Sequence, residues 1–305
     1  MRTYRFFQID VFTDRPLTGN PLAVFPDAVG LVPSKMQALA REMNLSETTF
    51  VFPSERATRL VRFFTPAAEI PLAGHPTIGT WWVLAELGHL ELPADANADV
   101  TQETGCGVLP VEIRMASDGP EAVVMTQAPP EFGPEVSDIA GLARALGGDE
   151  SLIPPGPLPQ VVSTALPQLM VPVRSLHHLS GLPSGGQGGE LAKFLRAFGT
   201  DCAMCYTRET TSPDTTVHCR MFAPGLGVPE DPATGSAAGA LGCYLVRLGA
   251  VRPQAGTATL SVEQGIEIGR PSRIDVEVET GDGGLITCVR VGGRAVTIIE
   301  GEVRL

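Results

Sequence analysis

The chain has 305 residues, 43% of them hydrophobic and 18% charged, which is apolar material for about two globular domains. A net charge of −12 with no segregated basic run argues against nucleic acid or an anionic membrane surface as partner. The opening MRTYRFFQIDVF alternates charged and apolar side chains, so neither a signal peptide nor a membrane anchor is expected, and six scattered cysteines fit a reducing, cytoplasmic setting.

In chain order, Phe7, Ile9 and Val11 alternate with Gln8 and Asp10 as a half-buried strand, and the turn Thr18-Gly19-Asn20-Pro21 leads into a second strand at 22–25. Pro33-Ser34 starts an amphipathic helix whose stripe is Met36, Leu39, Ala40 and Met43, ending near Asn44. Glu47 then falls at the boundary before a strand at 50–52, a usual address for a working side chain. Strands follow at 60–64, 100–103, 108–114 and 122–126, and Pro129-Pro130 marks a linker at about 127–135. Beyond a short helix near 137–146, strands are expected at 160–164 and 168–173. A helix at 191–198 follows, and three closing strands run from Arg273, the last of which returns to the first half. The domains implied are 1–127, joined by 296–305, and 128–295.

One stretch occurs twice. Residues 62–88 and 220–249 each run from an Arg through Pro66 or Pro224 and Pro71 or Pro229 to a polar glycine-containing turn and a helix closed by glycine. Neither helix, 75–88 or 234–248, carries a charge until its last turn, so each must be surrounded by protein. Their N-termini gather backbone N–H groups and the positive end of the helix dipole, which favours a carboxylate or other anion. If the halves face each other, both N-termini can serve one cleft.

Other motifs carry less. Cys202 and Cys205 form an isolated C-x-x-C and read as core thiols, not a metal site. His177-His178 reads as a polar loop, His89 as a cation beyond a helix end, and the glycine-rich run 184–189 as a surface loop. No serine-hydrolase elbow, phosphate loop or dinucleotide fingerprint is present. His75 stands apart, because it opens a buried helix in the repeated turn while the matching turn carries Asp231, Thr234 and Ser236. Thr234 and Ser236 also suit plain N-capping.

Phe7-Gln8-Ile9-Asp10-Val11-Phe12 with Gly19-Asn20-Pro21, Asn44-Leu45-Ser46-Glu47-Thr48, Gly74-His75-Pro76-Thr77-Ile78-Gly79 and Asp231-Pro232-Ala233-Thr234-Gly235-Ser236-Ala237 together resemble the phenazine-biosynthesis PhzF-like family. The resemblance implies an α+β fold of the diaminopimelate-epimerase type, two pseudo-symmetric domains each with a sheet wrapped round a buried helix, as a homodimer. It implies an isomerase without cofactor or metal that acts on a small carboxylic acid; the alternative is a small-molecule-binding or protein-interaction module that keeps the fold without turnover, and Glu47, His75 and Asp231 favour the enzyme because a binding module needs no acid/base pair. Glu47 would move the proton, with His75 and Asp231 as catalytic partners, and Gly74, Thr77, Thr234, Gly235 and Ser236 would line the substrate. Two-thiol epimerases of this fold carry a cysteine at each helix N-terminus, where this chain has Gly74 and Asp231. Burial beneath apolar residues such as Phe50 is expected to raise the pKa of Glu47.

Overall fold

In the computed structural model, residues 2–90, 92 and 96–305 are described. The chain divides into two units, Met1–Thr126 with Gly292–Leu305, and Gln127–Val291. The first runs β1 (Thr3–Val11), β2 (Asn20–Phe25), α1 (Pro33–Met43), β3 (Glu47–Phe52), β4 (Arg59–Phe64), β5 (Glu69–Ile70), α2 (Gly74–Glu86), β6 (Asn97–Thr104), β7 (Gly107–Ala116) and β8 (Gly119–Thr126). The chain's final strand, Ala295–Arg304, lies antiparallel to β1, from Thr3 opposite Arg304 to Val11 opposite Ala295.

Pairing runs from that final strand through β1, β2, β3 and β4, then through β6, β7 and β8. The two parallel joints, β2–β3 and β4–β6, are those bridged by helices, as a parallel connection requires. Helix α2 packs against β1, β2, β3, β7, β8 and the final strand, and every residue from His75 to Ala85 is buried. Gly79 permits the close approach: a Cβ there would lie 2.7 Å from Leu22 and 2.8 Å from Val11.

The opposite face of this sheet carries α1. Met36, Leu39 and Ala40 fill a cluster with Tyr4, Phe25, Phe50 and Phe64, in which the Phe25 and Phe50 rings stack at 4.9 Å. Asn44 ends the helix in the left-handed region at φ 51°, a conformation its short polar side chain tolerates. Phe50 therefore does not roof Glu47. Successive strand residues face opposite ways, so Phe50 sits under α1 whereas Thr49, whose hydroxyl meets that of Thr80 at 2.8 Å, faces α2 together with Glu47.

The second unit contains β9 (Glu131–Glu135), α3 (Ile139–Leu146), β10 (Gln160–Ser163), β11 (Pro167–Pro172), α4 (Leu176–Ser180), α5 (Gly189–Ala197), β12 (Ala203–Thr207), β13 (Val217–Ala223), β14 (Val228–Asp231), α6 (Gly235–Arg247), β15 (Thr257–Gln264), β16 (Ser272–Thr280) and β17 (Ile286–Gly293). The grammar of the first unit recurs. Strands β11 and β12 are parallel across α4 and α5, β13 and β15 are parallel across α6, and the short β14 folds back on β13 as β5 does on β4. Helix α6 packs against β10, β11, β15 and β16. A Cβ at Gly242 would meet Val276 at 2.8 Å, so the helix approaches its sheet as closely as α2 does.

Two expectations change here. The proposed linker at 127–135 contains β9, which pairs with β10; Pro134 is compatible because proline is tolerated on an edge strand. His177-His178 lies in the short helix α4, whose first turn is capped by the Ser175 hydroxyl accepting from the His178 N–H. No helix among the described residues is long and apolar enough to cross a membrane.

Candidate active site

Glu47 is the first residue of β3, and the parallel register sets it beside Leu22 of β2. Its side chain is 18% exposed, and Oε2 lies 3.4 Å from Nε2 of His75, the second residue of α2. That is contact rather than a formed hydrogen bond, and Glu47 Oε2 has no hydrogen-bond partner among the described residues. Burial pushes the Glu47 carboxyl above its ordinary range, against a smaller opposing effect from the Ser46 hydroxyl.

Gly74 opens α2 and is half-buried, with no side chain capping the helix. Thr77 is fully buried and already engaged: its hydroxyl donates to the Ala73 carbonyl at 2.8 Å and accepts from Gln102 Nε2 at 3.2 Å. It holds the turn in shape instead of presenting a group to a guest. Gln102 also accepts from Trp81 Nε1 at 3.1 Å, tying the first and second turns of α2 to β6.

In the second unit Asp231 ends β14, and Thr234 precedes α6 without capping it. The Thr234 hydroxyl instead donates to Asp231 Oδ2 and accepts from Gln264 Nε2 at 3.1 Å. Gln264 also donates to the Asp231 carbonyl at 2.7 Å, and its Oε1 accepts the Thr234 N–H at 3.3 Å. Ser236 likewise accepts a hydrogen bond, from Gln168 Nε2 at 3.0 Å, which leaves its hydroxyl hydrogen to be donated elsewhere. Gly235 is buried and its carbonyl accepts from Gln127 Nε2 at 3.0 Å. Within the first unit the structure thus brings Glu47, His75 and Gly74 together, and within the second Asp231, Thr234, Gly235 and Ser236.

The glutamines holding these turns, Gln102, Gln127, Gln168 and Gln264, carried no role in the sequence reading. Gln102 and Gln264 fall just after each repeated helix, in strands otherwise destined for burial, and an uncharged amide in a buried strand was the available signal. His218 was also missed. It is fully buried between Glu263 (Nδ1 to Oε1, 2.7 Å) and Glu267 (Nε2 to Oε1, 2.9 Å). The carboxylates occupy opposite ring nitrogens, so they do not converge on one ion. Cys202, Cys205, Cys219 and Cys243 are buried, and burial pushes the Cys202, Cys205 and Cys243 thiols up to about 12, which suits core packing and not nucleophilic work.

The architecture is shared with epimerases: a hydroxyproline epimerase from Agrobacterium vitis superposes with a TM-score of 0.64 at 14% identity, covering 99% of this chain and 92% of that one. More specifically, the phenazine biosynthesis-like protein family model (PhzC-PhzF) matches residues 9–301, and the chain belongs to that family. A Bacillus anthracis phenazine biosynthesis protein of the PhzF family has a TM-score of 0.91 at 30% identity, with full coverage of both chains. Trans-2,3-dihydro-3-hydroxyanthranilate isomerase of Pseudomonas fluorescens is 36% identical over 303 residues, covering 99% of this chain and all of that protein. The chain is an isomerase.

Proposed function

We propose that Glu47 transfers a proton between two carbons of a small unsaturated carboxylic acid, with His75 and Asp231 as its polar partners. The observation that carries this reading is the buried Glu47 carboxyl, raised above its ordinary range and set 3.4 Å from His75 at the start of a buried helix. The carboxylate form takes a proton from carbon, the electron pair moves into the adjoining double bond, and the carboxylic acid so formed returns the proton further along the substrate. Negative charge that develops on the substrate meets the positive end of a helix dipole and first-turn N–H groups. The proposal gives both helix-opening turns to one substrate on the strength of the sequence repeat. Gly74, Gly235 and Ser236 then contact the carboxylate, while Thr77 and Thr234 fix the turns. The Pseudomonas fluorescens relative is named for trans-2,3-dihydro-3-hydroxyanthranilate, itself an unsaturated carboxylic acid, which supports this substrate class.

Glu47→Gln tests the reading because it keeps size and removes the ionisable group. Incubation with a panel of unsaturated carboxylic acids in deuterated water, scored by NMR for both isomer formation and exchange, should show turnover reduced by about 100-fold or more with binding largely kept. Near-normal turnover in the variant would remove Glu47 from the chemistry and turn attention to Asp231.

A further inference from the structure

Four glutamines hold the turns that open α2 and α6, and three of them are satisfied at both ends of the amide. Gln102 donates to Thr77 and accepts from Trp81, and Gln264 donates to the Asp231 carbonyl and accepts from the Thr234 N–H. Gln127 donates to the Gly235 carbonyl and accepts from the Thr164 hydroxyl at 2.6 Å. Gln168, in β11, is the exception. It is fully buried, its Nε2 donates to Ser236 Oγ at 3.0 Å, and its Oε1 is buried with no hydrogen-bond partner among the described residues. A buried amide oxygen without a donor costs free energy, so a methionine of the same length would serve better here if packing were the whole role.

Among the described residues only Ser236 holds this amide in its present sense. The nitrogen and oxygen of an amide are close in size, so half a turn about the last side-chain bond exchanges them without repacking. In the present arrangement Nε2 donates to Ser236 Oγ, and the serine hydrogen is free for a guest. In the other, Oε1 accepts that hydrogen and the serine has nothing left to donate. Ser236 is the second residue of α6 and half-buried, within reach of a ligand held at the first-turn amides. We propose that Gln168 is a positioning residue that turns the Ser236 hydroxyl towards the substrate carboxylate, its amide settling in the donating arrangement when that carboxylate binds. A negatively charged oxygen takes the serine hydrogen in a charge-assisted bond, and the serine oxygen, polarised by that bond, accepts more strongly from Nε2. This rests on the proposed contact between the turn opening α6 and the substrate carboxylate, and extends it by one residue. Gln102, Gln127 and Gln264 fix the shape of the turns, whereas Gln168 sets the direction of one hydrogen.

The probe is anthranilate, the stable aromatic counterpart of the acid for which the Pseudomonas fluorescens relative is named, titrated into the isotope-labelled full-length protein and followed by NMR at constant pH. Saturation should shift the Ser236 amide and the Gln168 side-chain NH2 signals of the wild type, a measurement that needs no variant. Ser236→Ala should bind at least roughly tenfold more weakly, as loss of a hydrogen bond to a charged group implies. Gln168→Met keeps the length, removes both amide atoms and should weaken binding by about fivefold. The double variant should bind within about twofold of Ser236→Ala alone, because the glutamine acts only through the serine. Gln168→Met should melt no lower than wild type, since the unpartnered oxygen leaves with the amide. No anthranilate binding, or binding that Ser236→Ala leaves unchanged, overturns the placing of the carboxylate at α6 and the role of Gln168 with it. Four results overturn the role of Gln168 alone: a loss in Ser236→Ala without one in Gln168→Met, additive losses in the double variant, a Gln168 side-chain signal unmoved at saturation, or a lower melt for Gln168→Met.

Discussion

Replacement of His218 by leucine should destabilise the second unit by about 1–3 kcal/mol near pH 6. The register makes leucine the natural choice: His218 pairs with Glu263 as Leu60 pairs with Glu103, so the fold already accommodates a leucine at this point of the repeat. Burial alone would lower the His218 pKa, but the hydrogen-bonded carboxylates of Glu267 and Glu263 outweigh it and hold the imidazole above its ordinary 6.5. Burial would likewise raise Glu267, yet the His218 hydrogen bond and charge, aided by the Ser180 hydroxyl and its own backbone N–H, hold it at about 2 against an ordinary 4.5. At about 1.4 kcal/mol for each tenfold in acidity, the whole difference is worth about 3 kcal/mol, of which His218 supplies the largest favourable share and the Ser180 hydroxyl and the Glu267 backbone N–H the rest, so about 3 kcal/mol is the upper bound on what the substitution removes through Glu267. Glu263 is less exposed to the loss because it also accepts from the Thr211 and Ser212 amides and the Thr215 hydroxyl. The Glu267 contribution is present above pH 4.5 and disappears as pH falls towards 2. The His218 contribution is complete below 6.5 and disappears as pH rises through the folded-state value. The gap between wild type and His218→Leu should therefore be widest between pH 4.5 and 6.5. Both tryptophans lie in the first unit, so the measurement is amide exchange of β13 and β15 across pH 3–9. A gap below about 1 kcal/mol, or one that does not vary with pH, would refute the assignment of a charged, paired histidine.

Two further outcomes test the first unit. Because the folded state holds Glu47 protonated to higher pH than the unfolded chain does, stability should fall as pH rises above 4.5, and Glu47→Gln should melt higher than wild type at pH 8 and equally below pH 4. A lower melting temperature for the variant at pH 8 would contradict the burial argument. Gln102→Leu leaves the buried Trp81 indole N–H without an acceptor and should cost about 1–3 kcal/mol with altered tryptophan fluorescence; unchanged stability would show that water replaces the amide.

The sequence by itself determined the elements and their repetition. Periodicity placed α1 on Met36, Leu39 and Ala40, and the uncharged runs after His75 and Asp231 identified α2 and α6 as surrounded helices, because a helix with no polar face must be enclosed. The motifs around Glu47, His75 and Asp231 carried the family, which the whole-chain match establishes. What the sequence left undecided were relations across distance. It did not show that Phe50 faces away from Glu47, since local pattern gives alternation but not which face meets α2. Nor did it show that Thr77 and Thr234 are held by Gln102 and Gln264, or that His218 stands between two carboxylates. Those partners lie between 25 and 49 positions away along the chain, and only the pairing of β4 with β6 and of β13 with β15 brings them together. A buried polar side chain obtains its meaning from the group that satisfies it, and that group is chosen by tertiary structure.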